Sequence, residues 1–245
     1  MDINNQKNDP LKMLTLVDTH ECSYLSHQQA NSIFLDHDTP PSWQQYCQLS
    51  HVGFRRSGNH FYRPQCPSCD ACKSSRILAF DIDLKKKRYK RLLNKTSDFS
   101  ISLASASFSQ EHYSLYERYI NTRHKGGDMY PPSEKQYQGF LVSAHEYSQF
   151  LEIRDSQQKL IACTAVDILN DGLSAIYTYF DPDYDSLSPG TLAVLLLCSL
   201  ARQRNLEYVY LGYWVKSCQK MQYKAQFKPL EIFNGENWQL LNNDS

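Results

Sequence analysis

The stretch Leu160–Phe180, LIACTAVDILNDGLSAIYTYF, consists of two runs rich in apolar and aromatic residues around Asn170-Asp171-Gly172. Asn or Asp followed by Gly between strand-like runs signals a hairpin, because such a turn needs backbone angles that these residues adopt at little cost. The stretch therefore predicts antiparallel strands over 160–169 and 173–180. Upstream, Phe150–Arg154 reads as a third strand. Downstream, Pro189-Gly190-Thr191 opens a helix through Arg204, with proline near the start, where its missing N–H removes no helical hydrogen bond. Glu207–Leu211 then reads as a further strand.

Meander, helix, strand is the order of acyltransferases built on an N-acetyltransferase-like sheet, and the expectation is an α+β fold. In it an N-terminal cysteine-bearing region (1–105) packs on a mixed sheet with flanking helices (106–245). Helices are predicted over Gln110–Arg123 and Ser133–Ala144. Acetyl-CoA users of such a sheet need a Gly-rich turn at the helix start, so that backbone amides can cradle the pyrophosphate. Leu187-Ser188-Pro189-Gly190-Thr191 has one glycine, and Pro189 removes a donor. A CoA donor is disfavoured, and another activated acyl carrier is expected.

Toward the N-terminus, Ser26 is positioned to cap a helix over His27–Asp36, and Pro40-Pro41-Ser42 introduces a second helix through Leu49. Gly53–Pro64 (GFRRSGNHFYRP) reads as a hairpin around Ser57-Gly58-Asn59. Ser75–Phe80 is strand-like, and Lys85–Lys95 forms a basic helix or arm. Residues 1–15 and 242–245 read as loose ends.

Lysine and arginine together number 26 and so do aspartate and glutamate, so any nucleic-acid affinity must come from a local patch. The start, MDINNQKNDP, carries no apolar leader segment, and no apolar run approaches the ~20 residues of a membrane span. The expected location is the cytoplasm, where eight cysteines argue against a disulfide framework.

The local patch is Lys85-Lys86-Lys87-Arg88-Tyr89-Lys90-Arg91-Leu92-Leu93-Asn94-Lys95, seven positive charges in eleven residues with no acid among them. Tyr89, Leu92 and Leu93 share one helical face and can dock it while the cations face phosphates. Leu211–Lys224 (LGYWVKSCQKMQYK) interleaves Lys216, Lys220 and Lys224 with Tyr213, Trp214 and Tyr223, which suits the stacked single-stranded end of an RNA. Arg55 and Arg56, with Arg76 nearby, can bind a carboxylate through forked guanidinium groups. Tyr177, Tyr179 and Asp181 alternate at a strand end and fall on one face. Tyr177 and Tyr179 can close a pocket there, and a carboxylate such as Asp181 can orient an amine or relay its proton. The loop Arg123–Pro132 joins glycines, prolines, charges and aromatics, a composition common at site edges; His124 in it reads as a helix-end histidine. Cys66, Cys69 and Cys72 recur every third residue, and with Cys22 as a fourth candidate they could hold zinc or an iron–sulfur cluster or remain reduced thiols.

Four segments in order, Gly53–Pro64, Gly127–Pro132 (GDMYPP), Tyr177–Pro182 (YTYFDP) and Leu211–Lys224, resemble the aminoacyl-tRNA–protein transferase family, and specifically its bacterial leucyltransferase branch. The resemblance runs from Glu21 to Glu231. It implies leucyl-tRNA as donor, the N-terminal Asp or Glu of another protein as acceptor, and an N-end-rule degradation signal as product. It requires no cofactor. Eukaryotic relatives use arginyl-tRNA and carry paired cysteines; here Leu25 follows Cys22 where a second cysteine would stand.

A mechanism follows as an expectation. The ester of an aminoacyl-tRNA is already activated, so holding the acceptor amine against it supplies most of the gain. The basic segment and Lys216, Lys220 and Lys224 bind RNA, one of Arg55, Arg56 and Arg76 reads the acceptor carboxylate, and Asp181 stands nearest the amine. The alternatives are an arginyltransferase of the same fold, whose pocket would need an acidic wall, a CoA-dependent N-acetyltransferase, and a non-catalytic RNA- or zinc-binding module.

Overall fold

Ser42, Ser109 and Ser133 each begin a helix by accepting a backbone N–H three residues on, from Gln45, His112 and Gln136. At Ser42 the Gln45 side chain returns the bond to the cap amide, completing a capping box. The computed structural model describes residues 11–15, 19–143 and 145–242. Within it the N-terminal part contains β1 (Met13–Thr15), β2 (His20–Glu21), β3 (Gln29–Ala30), β4 (Ser32–Leu35), α1 (Trp43–His51), β5 (Arg55–Ser57) and β6 (His60–Pro64). It forms a four-stranded antiparallel sheet in the order β1-β4-β6-β5, with β2 and β3 paired separately.

The helix expected over His27–Asp36 is instead β3 and β4. Ser32, Ile33, Phe34 and Leu35 alternate between half-buried and buried positions, the period of a strand. Pairing with β6 and packing against α1 outweigh a weak helical periodicity. Of the expected loose ends, residues 13–15 pair with Leu35, Phe34 and Ile33, whereas 1–10 and 243–245 lie outside the described residues.

The larger part continues through β7 (Lys73–Leu78), α2 (Lys87–Lys95), β8 (Ser100–Ser105), α3 (Gln110–Arg123), α4 (Glu134–Leu141), β9 (Ser148–Arg154), β10 (Leu160–Ile168) and β11 (Gly172–Phe180). A 3-10 turn (Pro182–Leu187), α5 (Pro189–Gln203), β12 (Tyr208–Trp214), α6 (Gln219–Gln222), β13 (Leu230–Phe233) and β14 (Trp238–Leu240) complete it. Eight strands form one mixed sheet in the order β14-β13-β7-β12-β11-β10-β9-β8. Every neighbouring pair is antiparallel except β11–β12, which α5 connects. β7 lies inside this sheet and β8 at its edge, so strands from both sides of residue 105 pair within it.

Gly172 shows why the hairpin turn needs glycine: a Cβ there would stand 2.6 Å from the Tyr208 carbonyl oxygen. That close approach lets β12 pair beside β11, with the Glu207 and Tyr208 amides donating to the Asp171 carbonyl. α5 buries Leu192, Leu195, Leu197, Cys198 and Ala201 against the sheet. Each leucine so buried contributes about 1.5–3 kcal/mol. On the outer strands, α3 and α4 bring Tyr113, Tyr116 and Tyr137 over β10 and β11. α2 docks through Tyr89, with Leu92 and Leu93 packed alongside, as the spacing predicts. Among the described residues no helix is long and apolar enough to cross a membrane.

Candidate active site

The parallel pairing of β11 and β12 covers Gly172–Ser174 against Tyr208–Tyr210 and then stops. Two irregularities meet at this level. The β10–β11 register shifts between Ala165 and Val166, leaving Ile176 as an extra residue in β11. On the other side, the β12–β7 register shifts between Tyr210 and Gly212, and Gly212 takes a φ of 74°. A bulge bends its strand and ends local pairing, so the two strands splay apart.

The splay opens a cleft of about 1020 Å³. Ala175–Thr178 and Leu211 form its floor, the start of α5 and Arg88 of α2 stand beside it, and Arg123–Gly127 and Lys220–Lys224 enclose it. Ser188 caps α5 in a left-handed conformation with no side-chain hydrogen bond, so the positive end of that helix faces the cleft.

Apolar side chains form part of the cleft wall, and cations stand at its rim and, as Lys224, within it. Ile176, Val194, Leu211, Met129, Met221 and Phe180 line it. Its single acid, Asp185, is held by Arg123 at 2.7 Å. Arg88, Lys125 and Lys220 are exposed at its edge. Tyr223 is about half exposed and presents an aromatic face to it. The His124 imidazole lies in the lining with its Nε2 buried and unpartnered. Burial first, then the charges of Lys220 and Arg123, pushes its pKa down from 6.5, so the ring is neutral at pH 7. Lys224 is buried in the lining, and burial together with the Arg55 charge lowers its amine to about 8.

The sequence-predicted residues divide accordingly. Lys85, Lys86, Lys87, Arg88, Lys90 and Arg91 are all exposed and form no ion pair among the described residues. Of these, Arg88 lines the cleft. Lys216 is exposed, Lys220 and Lys224 line the cleft, and Tyr177 lines its floor.

Tyr213 and Trp214 do not offer stacking surfaces. β12 runs on past Leu211 and pairs both residues with β7, burying their rings; the Tyr213 hydroxyl is shared by the carbonyls of Gly53 and Tyr62 at 3.0 Å each. Tyr179 is fully buried between Tyr116 and Tyr137, its hydroxyl 3.0 Å from that of Tyr137.

Asp181 also stands away from the cleft lining. Its buried carboxylate accepts from the Asp183 amide and meets Arg118 at 2.9 Å and Lys159 at 2.8 Å. Burial raises its pKa, but the Lys159 hydrogen bond, the Asp183 amide and both neighbouring cations outweigh it and hold the group below the ordinary carboxylate value. These contacts make Asp181 a cap and an ion-pair centre, its buried carboxylate engaged by three donors from within the fold.

The three arginines are all buried. Arg56 makes a two-point contact with Asp167 at 2.6 and 2.7 Å, and Arg76 meets Glu231 at 2.7 Å while lying over Tyr208 and Trp238. Neither is free to read a carboxylate from outside. Arg55 donates only to the carbonyls of Ser50 and Phe54, leaving Nε and Nη2 without partners.

Cys22, Cys66, Cys69 and Cys72 line a separate pocket of about 280 Å³. Burial first, then the charges of Cys22, Cys66, Cys69 and Cys218, raises the Cys72 thiol to about 12. Among the described residues, the cysteines do not form a group whose ligand atoms all lie within 4.8 Å of one another; half-buried Asp36 with exposed His37 and Asp38 does, and it contains no cysteine. The donor set is one that zinc accepts.

His124, which the sequence suggests is a helix-end histidine, is half-buried in the lining, and Tyr223 is the one of the three aromatics in Leu211–Lys224 that lines the cleft. Arg118 carried no signal, because its carboxylate partners come from a turn 63 and 65 residues away.

The chain matches the arginine-tRNA-protein transferase family, its N terminus over residues 20–91 and its C terminus over residues 111–234. An aspartate/glutamate leucyltransferase from Pseudomonas putida is 44% identical over 223 residues, 91% of this chain and 94% of that protein. One from Pseudomonas syringae pv. tomato is 44% identical over 219 residues, covering 89% and 92%. One from Hahella chejuensis is 42% identical over 219 residues, covering 89% and 93%. With both halves of the family matched in order and near-complete overlap with these relatives, the chain belongs to the arginine-tRNA-protein transferase family.

Proposed function

We propose that this protein transfers leucine from leucyl-tRNA to the α-amine of proteins beginning with Asp or Glu, giving them an N-terminal leucine that marks them for degradation. One observation carries the reading: a cleft with apolar side chains in its wall and its single acid neutralised opens at a sheet splay beside an unpaired cationic helix. An apolar donor side chain suits such walls. A guanidinium would need a free carboxylate, and Asp185 already serves Arg123.

The roles follow from position. α2 and Lys220 take tRNA phosphates, and Tyr223 stacks on the terminal base. The acceptor amine attacks the ester carbonyl carbon. A C–N bond forms, the C–O bond to the ribose breaks, and the proton lost by the amine returns to the departing ribose oxygen. His124, neutral and facing the cleft, is the group suited to carry that proton. The ester supplies the activation, and no step is assigned to a cofactor. Cys22, Cys66, Cys69 and Cys72 are the residues that would hold a structural zinc, measurable as metal content lost in a Cys66→Ser, Cys72→Ser variant.

The test is incubation with leucyl-tRNA and a peptide beginning with Asp, read by mass spectrometry. The expected product is the peptide extended by one leucine at its N-terminus. Binding of tRNA without any extended peptide would overturn the reaction and favour an RNA-binding module.

A further inference from the structure

Among the described residues, Arg55, Arg56, Arg76 and Lys224 are the buried cations. Arg56 and Arg76 each meet a carboxylate; Arg55 and Lys224 meet none. The two unmatched charges are close enough that the Arg55 charge bears directly on Lys224. Their polar contacts are all with neutral atoms. Lys224 Nζ donates to the Tyr213 carbonyl and reaches the Met221 sulfur, which leaves one of its three protons unassigned. Arg55 spends one nitrogen on two carbonyls, and its guanidinium lies 4.9 Å over the Tyr210 ring. Two like charges held together out of water are unfavourable without an anion.

Lys224 lines the cleft. Nothing covers it from Gly212, where the absent side chain would have stood 3.9 Å from Nζ. The exposed cations Arg88, Lys125 and Lys220 lie at the rim, where a ribose-phosphate chain can follow them. Lys224 is sunk beyond them, in a place that suits a small carboxylate on a short stem better than a phosphodiester.

We propose that Lys224, backed by Arg55, receives the side-chain carboxylate of the acceptor's N-terminal Asp or Glu and so sets the acceptor specificity of the cleft. This deepens the transfer reaction proposed above and rests on it. It also moves Lys224 from the tRNA-contacting group expected from the sequence to the acceptor.

The experiment compares peptides that begin with Asp and Asn, which differ in charge and hardly in shape. Wild type favours the Asp peptide in kcat/KM. In Lys224→Met the Asp peptide loses ~30-fold or more, the preference falls toward one, and the KM for leucyl-tRNA stays within about twofold. The melting temperature of Lys224→Met does not fall, because methionine fills the space without an unpaired charge.

A measurement on wild type keeps the test independent of folding: trace acylation of Lys224, followed by mass spectrometry, is slowed by the Asp peptide and not by the Asn peptide. Equal labelling with both peptides, or an unchanged Asp-to-Asn ratio in a folded and active Lys224→Met, overturns the proposal alone. Protection of Lys224 by uncharged tRNA and not by the Asp peptide overturns it in favour of an RNA contact. Wild type that transfers leucine to no peptide overturns the reaction itself, and this assignment with it.

Discussion

Arg56 and Asp167 are separated by 111 residues in the chain and by hydrogen-bond distance in the fold, with Tyr46 and Ser148 donating to the same carboxylate. Breaking a buried pair leaves a bare charge, so Arg56→Ala or Asp167→Asn is expected to cost about 3–5 kcal/mol. Thermal melting checks this, and a loss below about 1 kcal/mol would contradict it. Asp181 gives a pH-dependent case. Its folded pKa lies below its ordinary value, so its contribution is present above about pH 4 and disappears as pH falls through the folded value. The melting difference between wild type and Asp181→Asn should be largest near neutral pH and shrink in acid, with leucyl-tRNA affinity unchanged. For His124 the direction of shift is also downward, so the neutral base persists below pH 6.5. His124→Ala is expected to lower kcat by ~10²–10⁴ and to abolish the acid limb of the rate profile, which in wild type lies below about pH 6.5. Little of this could be read from sequence: Arg55, Arg56 and Arg76 look alike there, and only residues far along the chain decide which is neutralised.

At the scale of elements, α2 is the feature most fully legible in the sequence. Its cations and its docking face of Tyr89, Leu92 and Leu93 follow from spacing within eleven residues, and of the two forms the stretch allows, helix or arm, the structure takes the helix. Replacing Lys86, Lys87 and Lys90 by alanine should flatten the log–log salt dependence of tRNA binding by about 2–3, at ~0.7–0.9 per phosphate, and an unchanged slope would remove α2 from the interface. The hairpin at Asn170-Asp171-Gly172 was equally legible, because turn chemistry is local. β4 was not: its four residues fit a helix face or a strand, and only β1 and β6 on either side resolve the ambiguity. The extent of β12 was hidden for the same reason. Its continuation to Trp214 depends on β7, and it turns Tyr213 and Trp214 from expected RNA contacts into buried strand residues. The aromatic left for the RNA end is Tyr223, so Tyr223→Ala should weaken leucyl-tRNA binding by ~5- to 100-fold, as loss of one stacked base would.

Across the whole molecule, the cysteine-bearing region and the transferase sheet are joined through β7, which runs between β12 and β13. A division by sequence position at residue 105 passes over that strand, since pairing ignores chain order. The cleft likewise belongs to no single segment. Its floor comes from β11 and β12, its cationic side from α2, and its enclosing residues from the end of α3 and the turn after β12. The order of elements announced a mixed sheet, but the splay itself rests on an extra residue at Ile176 and a left-handed Gly212, details that periodicity does not encode. The reading proposed above has this cleft, with Ile176, Val194, Leu211, Met129, Met221 and Phe180 in its wall and Asp185 already paired, select leucine. The direct measurement is competition between equal concentrations of leucyl-tRNA and arginyl-tRNA for a peptide beginning with Asp. Leucine should appear on the peptide with arginine at trace level; arginine as the main product would contradict the account.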